Sequence, residues 1–398
     1  MLQKKKMTLE NFDFYLPTRI QYGEDAAQTV GKEAKELGGT KAMLVSDKGI
    51  IKAGLTDPVE KSLKRVGIDV VIYDQIVPNP RDVDCMNGYE LAKKEKVDVL
   101  IAVGGGSSMD TAKAIGTLLT HGGSVQDWCG FQLLKRDITP LIAIPTTAGT
   151  GSEVTPFAVI TDTKIHTKLN IFDPKAAAKV ALVDPATLLS LPPHIMASCG
   201  IDAMTHAVEA YTCTIATPYT DACALYAIEL IEKNLRQAVL NPDIESCAGM
   251  MLGSNIAGIA FGYSDVGGVH CMAEALGGKY DTPHGIANAV LLPTVIEFNI
   301  PANPRKHALI AKALGIDVRG MDDYHAAMEG VYALQKLCDD VDIPSMNKIE
   351  GINPEDFPEL AEAASKNVSA DSNARKAGAA EYLDLFEKAY YGQKQGAC

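Results

Sequence analysis

The sequence lacks the features that mark secreted, membrane-spanning and nucleic-acid-binding proteins. Its nine cysteines occur without a CxxC pair, which argues against a disulfide framework or a thiolate zinc site and favours reduced thiols in the cytoplasm. No run of about 18 consecutive apolar residues is present, so we expect no transmembrane helix. The net charge of −13 disfavours phosphate backbones and anionic lipids, and we expect neither a nucleic-acid nor a membrane partner.

The composition supports a sizeable core in two domains or one large domain, with 398 residues of which 47% are hydrophobic. Before residue 190, apolar runs typical of strands alternate with segments of helical spacing. Strands are predicted at 41–47, 68–74, 97–103, 141–147 and 180–183, with a hairpin at 157–162 and 168–172. From residue 195 onwards, Ala, Leu, Met and Glu recur at helical spacing. We therefore predict an α/β domain with a doubly wound parallel sheet over 1–190 and an all-helical domain over 191–398.

A glycine-rich loop (GGGSSMD, 104–110) follows the predicted strand at 97–103 and leads into a helix. Glycines let backbone N–H groups approach a phosphate, and the helix dipole adds partial positive charge. Ser107 and Asp110 have the spacing of a capping box. The GxGxxG fingerprint is not met, because Met109 stands where the third glycine would be, and the loop follows the third predicted strand rather than the first. The pattern indicates a non-standard nucleotide or dinucleotide site, with an ordinary β-to-α turn as the alternative.

Two further features extend this cofactor hypothesis. A loop rich in hydroxyls and glycines (TTAGTGS, 146–152) follows the next predicted strand, so both loops should meet at the carboxyl edge of the sheet. Asp47 ends the first predicted strand, where its carboxylate could bind both ribose hydroxyls and repel a 2′-phosphate. This position favours NAD over NADP, although Asp47 could equally be an ordinary turn residue.

Four residues in the helical half suggest a metal site. Asp202 and His206 are four apart in a helical segment, which places them on one face. His270 and His284 follow or precede glycines nearby in sequence. A single histidine is more often a core or surface residue, but three imidazoles with one carboxylate suit Fe²⁺ or Zn²⁺ and suit Ca²⁺ or Mg²⁺ poorly. Such a metal is a Lewis acid that lowers the pKa of an alcohol and polarises a carbonyl.

Four motifs together resemble the iron-containing (group III) alcohol dehydrogenase family over nearly the whole chain: GGGSSMDTAK (104–113), IPTTAGTGSEVT (144–155), GIDAMTHAVEAY (200–211) and HCMAEALGGKYDTPHG (270–285). The resemblance implies the dehydroquinate synthase-like/iron alcohol dehydrogenase fold, with an α/β NAD-binding domain and an all-α metal-binding domain. It places the metal ligands on Asp202, His206, His270 and His284. It places the cofactor contacts on Asp47, Asn79, Gly105, Gly106, Ser107, Ser108, Met109, Thr146, Thr147, Thr150 and Lys168.

The chain departs from the family pattern at two positions. Many members carry a second histidine one helical turn after the third ligand, and here that position is Glu274. We take His270 and Glu274 as the candidate catalytic residues, with Glu274 relaying a proton, altering substrate choice or making only a structural hydrogen bond. The NPR often found near the family's C-terminus is Asn373-Ala374-Arg375 here, which concerns helix and turn details rather than chemistry.

The function expected from these features is NAD(H)-dependent and metal-dependent interconversion of a small primary alcohol and its aldehyde, with aldehyde reduction in vivo. Fe²⁺ is the expected metal, with Zn²⁺ or Mn²⁺ as alternatives. Candidate substrates are short alcohols, propanediols, hydroxyaldehydes and small anionic aldehydes such as sulfoacetaldehyde. The resemblance also leads us to expect a cytoplasmic homodimer or higher homo-oligomer. The alternatives are a zinc polyol enzyme like glycerol dehydrogenase, a dehydroquinate-synthase-like lyase, or a non-catalytic protein that binds NAD or metal.

Overall fold

The computed structural model describes residues 11–165 and 167–392. The first half alternates strands and helices, as the apolar runs predict. In chain order these are β1 (Arg19–Tyr22), α1 (Val30–Glu36), β2 (Lys41–Val45), α2 (Lys48–Lys52), α3 (Asp57–Arg65), β3 (Asp69–Tyr73), α4 (Asp82–Glu95), β4 (Val99–Gly104), α5 (Gly106–His121), β5 (Gly130–Phe131), β6 (Leu141–Pro145), β7 (Phe157–Asp162), β8 (Thr167–Phe172) and β9 (Val180–Val183).

Six of these strands form one sheet in the order β1-β9-β6-β4-β2-β3, and every pairing within it is parallel. Successive residues of β4 belong to different cores: Leu100 packs with Ile115 of α5, whereas Ile101 packs with Val30 of α1 and Leu63 of α3. Because both faces are covered by helices, the central strands β4 and β6 are buried at every position, and β2 is buried after Lys41. The predicted doubly wound parallel sheet is therefore confirmed.

The small sheet holds the predicted hairpin, and the large sheet holds a strand that the sequence did not reveal. β7 and β8 pair antiparallel, and β5 joins β8. β1 is a short edge strand with half-exposed side chains, so it lacks the apolar run that identifies the buried strands. Its presence corrects the strand count, because Asp47 follows the second strand and the glycine loop follows the fourth.

None of the described residues after Val183 forms a strand. The long helices of this half are α6 (Pro193–Thr212), α7 (Pro218–Leu240), α8 (Ile244–Gly262), α9 (Gly268–Tyr280), α10 (His284–Asn299), α11 (Pro304–Ala313), α12 (Asp323–Asp340), α13 (Phe357–Ser365) and α14 (Ala379–Tyr391). The proposed domain boundary near residue 190 falls in the connection between β9 and α6. The domain limits remain predictions, since 1–190 and 191–398 extend beyond the described residues.

Helix α8 and the segment His284–Ala302 are long and apolar enough to cross a membrane, with mean hydropathies of 1.2 and 1.3. In each of them, 61% of the apolar window is buried inside the protein. Core helices of soluble proteins have the same length and composition, so this is weak evidence for a membrane span. Their burial places both helices in the core of the helical half.

The two halves meet closely beside the hydroxyl-rich loop. Gly151 has φ +57°, and a Cβ atom there would lie 2.5 Å from the Cα of Gly258 on α8. Only glycine permits both this left-handed backbone and this approach. Next to it, the buried Glu153 accepts a 2.8 Å hydrogen bond from Asn255 Nδ2. These contacts fix the edge of the cleft in which the candidate site lies.

Candidate metal centre and cofactor cleft

Four side chains from three helices converge at the cleft between the halves. Asp202 and His206 lie one turn apart on α6, His270 lies in the first turn of α9, and His284 is the first residue of α10. One ligand atom from each lies within 4.8 Å of the others. Asp202, His206 and His270 are buried, whereas the His284 side chain is 42% exposed. The cluster is therefore closed on the protein side and open toward the cleft at His284.

The polar atoms of this cluster fit a dication. The Nδ2 atom of Asn288 donates to Asp202 Oδ1 at 2.7 Å and approaches Nε2 of both His270 and His284 at 3.2 Å. One amide nitrogen thus reaches atoms of three of the four candidate ligand side chains, so these atoms face one location. Within the described part of the chain, His206 Nδ1 is buried without a hydrogen-bond partner. Burial lowers the pKa of His206 to about 3, so its ring is neutral and able to ligate.

Glu209 is a residue of this site that the sequence reading missed. It lies on α6, three residues after His206, and it is buried. Its Oε2 accepts from His270 Nδ1 at 2.5 Å, while Oε1 accepts from the backbone N–H of Val269 at 2.7 Å. Burial acts to lower the pKa of His270, but the hydrogen bond and charge of Glu209 raise it overall. A carboxylate that holds Nδ1–H fixes the tautomer with Nε2 free for a metal.

Both missed neighbours of the ligands have helical spacing to them. Glu209 follows His206 by three residues, and Asn288 follows His284 by four. Positions three and four apart share a helix face, so a carboxylate or amide at such a spacing from a ligand is a detectable signal. The signal is ambiguous in the sequence, because helices also carry many exposed residues at the same spacing.

The glycine-rich loop forms a sharp turn at the carboxyl end of β4. Gly104 has φ +154°, and a Cβ atom there would lie 2.4 Å from Ser108 Oγ. Gly105 is the N-cap of α5 and has no side-chain cap, so the predicted capping box of Ser107 and Asp110 is wrong. Asp110 instead accepts hydrogen bonds from Ser152 Oγ and Val159 N. The first N–H groups of α5 thus lie at the cleft without a side-chain cap, as an anion site requires.

The hydroxyl-rich loop lies directly against the glycine loop. A Cβ atom on Gly105 would lie 3.2 Å from Thr147 Oγ1, and one on Gly106 would lie 2.9 Å from Thr150 Cγ2. The hydroxyl of Thr146 is buried without a partner in the described region. The adjacent pairing of β4 and β6 brings these loops together, as the sequence predicted. An unsatisfied hydroxyl beside a narrow glycine turn fits a polar cofactor.

The other residues of the glycine loop differ in their environments. Ser107 is half-buried, whereas Ser108 and Met109 are buried. The Met109 side chain packs in the core beneath the loop, and its N–H donates to the Gly105 carbonyl. Gly106, Ser107 and Ser108 therefore supply the N–H groups nearest the helix start.

The side chain of Lys113 links α5, which follows the glycine loop, to the end of the hydroxyl-rich loop. It is fully buried on α5, and its Nζ donates to Ser152 Oγ at 2.9 Å, to both oxygens of Thr155 and to Phe157 O at 2.6 Å. Burial lowers the pKa of Lys113 to about 8. These bonds tie the helix that begins at the glycine loop to the chain that follows the hydroxyl loop.

Three predicted cofactor residues lie farther along the cleft. Asp47 Oδ1 accepts from the backbone N–H groups of Gly49 and Ile50, so this carboxylate caps α2. Lys168 Nζ donates to Asn79 Oδ1 at 2.9 Å, and Asn79 Nδ2 donates to Asp281 Oδ1 at 3.2 Å. Asn79 therefore bridges the α/β half and the end of α9 across the cleft.

Glu274 lies one turn after His270 on α9 and is exposed. Its Oε2 accepts a 2.7 Å hydrogen bond from Asn367 Nδ2. Asn373, in the departing NAR segment, accepts from the N–H of Gly268 and exchanges hydrogen bonds with Asn299. The segment therefore differs from the family's NPR in its middle residue but keeps the asparagine, which hydrogen-bonds to the first residue of α9.

Known proteins match nearly the whole chain. A model of iron-containing alcohol dehydrogenases matches residues 17–185, and a model of the C-terminal region of the Fe-containing alcohol dehydrogenase family matches residues 196–390. A 1,3-propanediol dehydrogenase of Citrobacter freundii is 42% identical, over 96% of this chain and 100% of that protein. A choline dehydrogenase of Bacillus subtilis (strain 168) is also 42% identical, over 98% of this chain and 96% of that protein. A crystal structure of 1,3-propanediol oxidoreductase has a TM-score of 0.94 at 41% identity, over 96% of this chain and 100% of that one.

Proposed function

The chain belongs to the iron-containing alcohol dehydrogenase family, and from this premise we propose that it reduces a small aldehyde to a primary alcohol in vivo. It is an NAD-dependent iron enzyme that interconverts an alcohol and an aldehyde. When bound, iron supplies a Lewis acid for the carbonyl oxygen, and the nicotinamide supplies or accepts the hydride. The residues of the chain must hold these groups, admit the substrate and move a proton.

The observation that carries this proposal is the convergence of one carboxylate and three imidazoles on the open cleft. We propose Asp202, His206, His270 and His284 as the iron ligands. The three buried ligands exclude water from the protein side of the metal. The exposed side of His284 is the side from which we propose that the substrate enters. The glycine and hydroxyl loops border the same cleft, so a cofactor held there would lie next to the substrate.

We propose that NAD is held by the residues named from the sequence. The N–H groups of Gly106, Ser107 and Ser108 are suited to the pyrophosphate, with Gly105 and Met109 forming the turn. Thr146, Thr147 and Thr150 offer hydroxyls for the ribose or the nicotinamide amide. Asp47 keeps a second carboxylate oxygen for the adenosine ribose, and Lys168 with Asn79 would face the other end of the dinucleotide.

For catalysis we propose distinct roles for His270 and Glu274. His270 acts as a metal ligand whose orientation Glu209 maintains. Glu274 lies one helical turn away, where its carboxylate can exchange a proton with the substrate oxygen through water or can act on the remainder of the substrate. The exposure of Glu274 supports access from the cleft.

The substrate is a small alcohol or aldehyde, and sequence identity alone does not select one. A 1,3-propanediol dehydrogenase and a choline dehydrogenase are equally similar to this chain. We keep short alcohols, propanediols, hydroxyaldehydes and small anionic aldehydes as candidates. The polyol dehydrogenase activity remains the competing hypothesis for the activity assay.

We further propose that the enzyme is a cytoplasmic homo-oligomer. The eight described cysteines are all free thiols, which suits a reducing compartment. β1 is an edge strand, and the aromatic side chains of Phe12 and Tyr219 contact each other while remaining exposed, with ring centroids 5.6 Å apart. Unpaired edges and exposed aromatics favour self-association. Sedimentation that gives a monomer mass would contradict this part of the proposal.

The decisive experiment is a panel of aldehydes and alcohols with NADH and NAD⁺, after anaerobic reconstitution with Fe²⁺ or Zn²⁺. His270→Ala should lose both metal retention and NADH oxidation, because one buried ligand is removed. His325→Ala is the matched control, since His325 is an exposed histidine on α12 whose ring contacts only Asp322 and Tyr324 among the described contacts. Full activity of the His270 variant would overturn the ligand assignment. NAD binding without reduction of any aldehyde in the panel would contradict the proposed aldehyde reduction.

A further inference from the structure

Glu274 places an extra negative charge beside the proposed metal centre. Residues four apart in a helix share one face, so Glu274 and the ligand His270 both lie on the side of α9 that borders the cleft. The offset is four residues, about 6 Å along the helix axis. The carboxylate is exposed, so a substrate bound at the ligands can reach it from the open side.

Within the described residues, this carboxylate forms a hydrogen bond but no salt bridge. Its hydrogen-bond partner, Asn367, is a neutral amide. Lys168 is a cation that interacts with Glu274, and its ammonium donates to the neutral oxygens of Asn79 and Thr161. Burial lowers the pKa of Lys168, and the negative charge of Glu274 acts against that decrease. The two groups therefore interact electrostatically across the cleft. The negative charge of a cofactor pyrophosphate would interact with the same lysine.

The wider surroundings are also negative. Asp110 on α5 and Asp281 at the end of α9 are two further carboxylates that act on Lys168. The whole chain carries a net charge of −13. Carboxylates at the mouth of a cleft attract cations and repel anions during the encounter with a substrate. The position of Glu274 adds a local contribution in the same direction.

We infer that Glu274 selects substrates by charge, favouring alcohols and aldehydes with an ammonium group two or three bonds from the reacting carbon and disfavouring those with a carboxylate or sulfonate. This inference rests on the proposed function, because it concerns the same cleft. It ranks the candidate substrates, because small anionic aldehydes should have the lowest kcat/KM among them. Glu274 acts here on the part of the substrate that does not react.

The test compares two alcohols of nearly the same shape, choline and its neutral analogue 3,3-dimethylbutan-1-ol. The measured quantity is the ratio of kcat/KM for choline to kcat/KM for the neutral alcohol, with NAD⁺ and iron-loaded enzyme. Glu274→Gln keeps the side-chain shape and an oxygen that can accept from Asn367, but removes the charge. The ratio should fall about three- to tenfold, as expected for a partly solvated charge contact. Glu329→Gln, on the exposed face of α12, should leave the ratio unchanged.

The ratio distinguishes charge selection from the other roles of Glu274. A proton relay or a structural role would lower both kcat/KM values together and leave their ratio unchanged, which would overturn the inference. Preference of the wild-type enzyme for 3-hydroxypropanoate over both other alcohols would overturn it as well.

A binding measurement separates this inference from the proposed function. Calorimetric titration of the NAD⁺-loaded protein with the same two alcohols needs no turnover. Tighter binding of choline than of its analogue, lost in Glu274→Gln, supports charge selection even if no alcohol is oxidised. Equal affinities in the wild type would overturn the inference while leaving alcohol oxidation intact.

Discussion

Replacing Glu209 by glutamine should weaken metal binding without altering any metal ligand. The carboxylate accepts from His270 Nδ1 at 2.5 Å and from the N–H of Val269 at 2.7 Å. Glutamine has one acceptor oxygen, so one of these buried donors would face an NH₂ group. Loss of a partner for a buried donor costs about 1–3 kcal/mol. Loss of a carboxylate that orients a metal-binding histidine typically lowers metal affinity about 10- to 100-fold.

The assay is chelator competition for Fe²⁺ under anaerobic conditions, with the absorption spectrum of the Co²⁺-loaded protein as a report on ligand geometry. Thermal unfolding of the metal-free protein measures the folding cost separately. Glu153→Gln is the matched control, because Glu153 is also a buried carboxylate held by a side-chain amide, that of Asn255. An unchanged metal affinity and Co²⁺ spectrum in the Glu209 variant would refute a positioning role, even if its stability fell.

Three other variants test the cofactor side of the cleft. Asp47→Gly should relax the preference for NAD over NADP, and an unchanged ratio of kcat/KM for the two cofactors would remove Asp47 from the ribose site. The pKa of Lys113 is about 8, below its ordinary 10.5, so the unfolded chain holds more protons between these values and stability should rise with pH there, by up to about 3 kcal/mol. Lys113→Met should flatten that rise in pH-dependent denaturant unfolding, and an unaltered slope would contradict the assignment. Gly151→Ala should lower stability by about 1–3 kcal/mol and raise the KM for NAD, because its Cβ would lie 2.5 Å from Gly258 Cα. A wild-type melting temperature and KM would show that the two backbones can separate at little cost.

The regular elements of the sheet could be predicted because burial on both faces leaves a continuous apolar run in the sequence. β4 and β6 are buried at every position, and both were predicted. β1 was missed because its four residues, RIQY, contain no apolar run, whereas the other edge strand, β3, has the run Val-Val-Ile and was predicted. The predicted capping box was wrong because the Asp110 carboxylate accepts hydrogen bonds from Ser152 and Val159, which are distant in sequence.

The sequence by itself determined the class of the protein, through the glycine loop after a buried strand, the hydroxyl loop after the next, and the spacing of Asp202 and His206. These are local patterns, since each requires only a few neighbouring residues and one backbone geometry. They also named His270 and His284 as candidate ligands, and the family resemblance then completed the set of four.

Only the tertiary structure decided how the parts of the proposed metal site support each other. The roles of Glu209 and Asn288 could not be predicted from the sequence, because their partners lie 61 and 86 residues away along the chain. The packing of α6, α9 and α10 brings these partners into contact. Likewise, only the structure shows that Glu274 is exposed and that its hydrogen-bond partner is the neutral amide of Asn367. A helix periodicity fixes which residues share a face, but the packing of helices decides what that face meets.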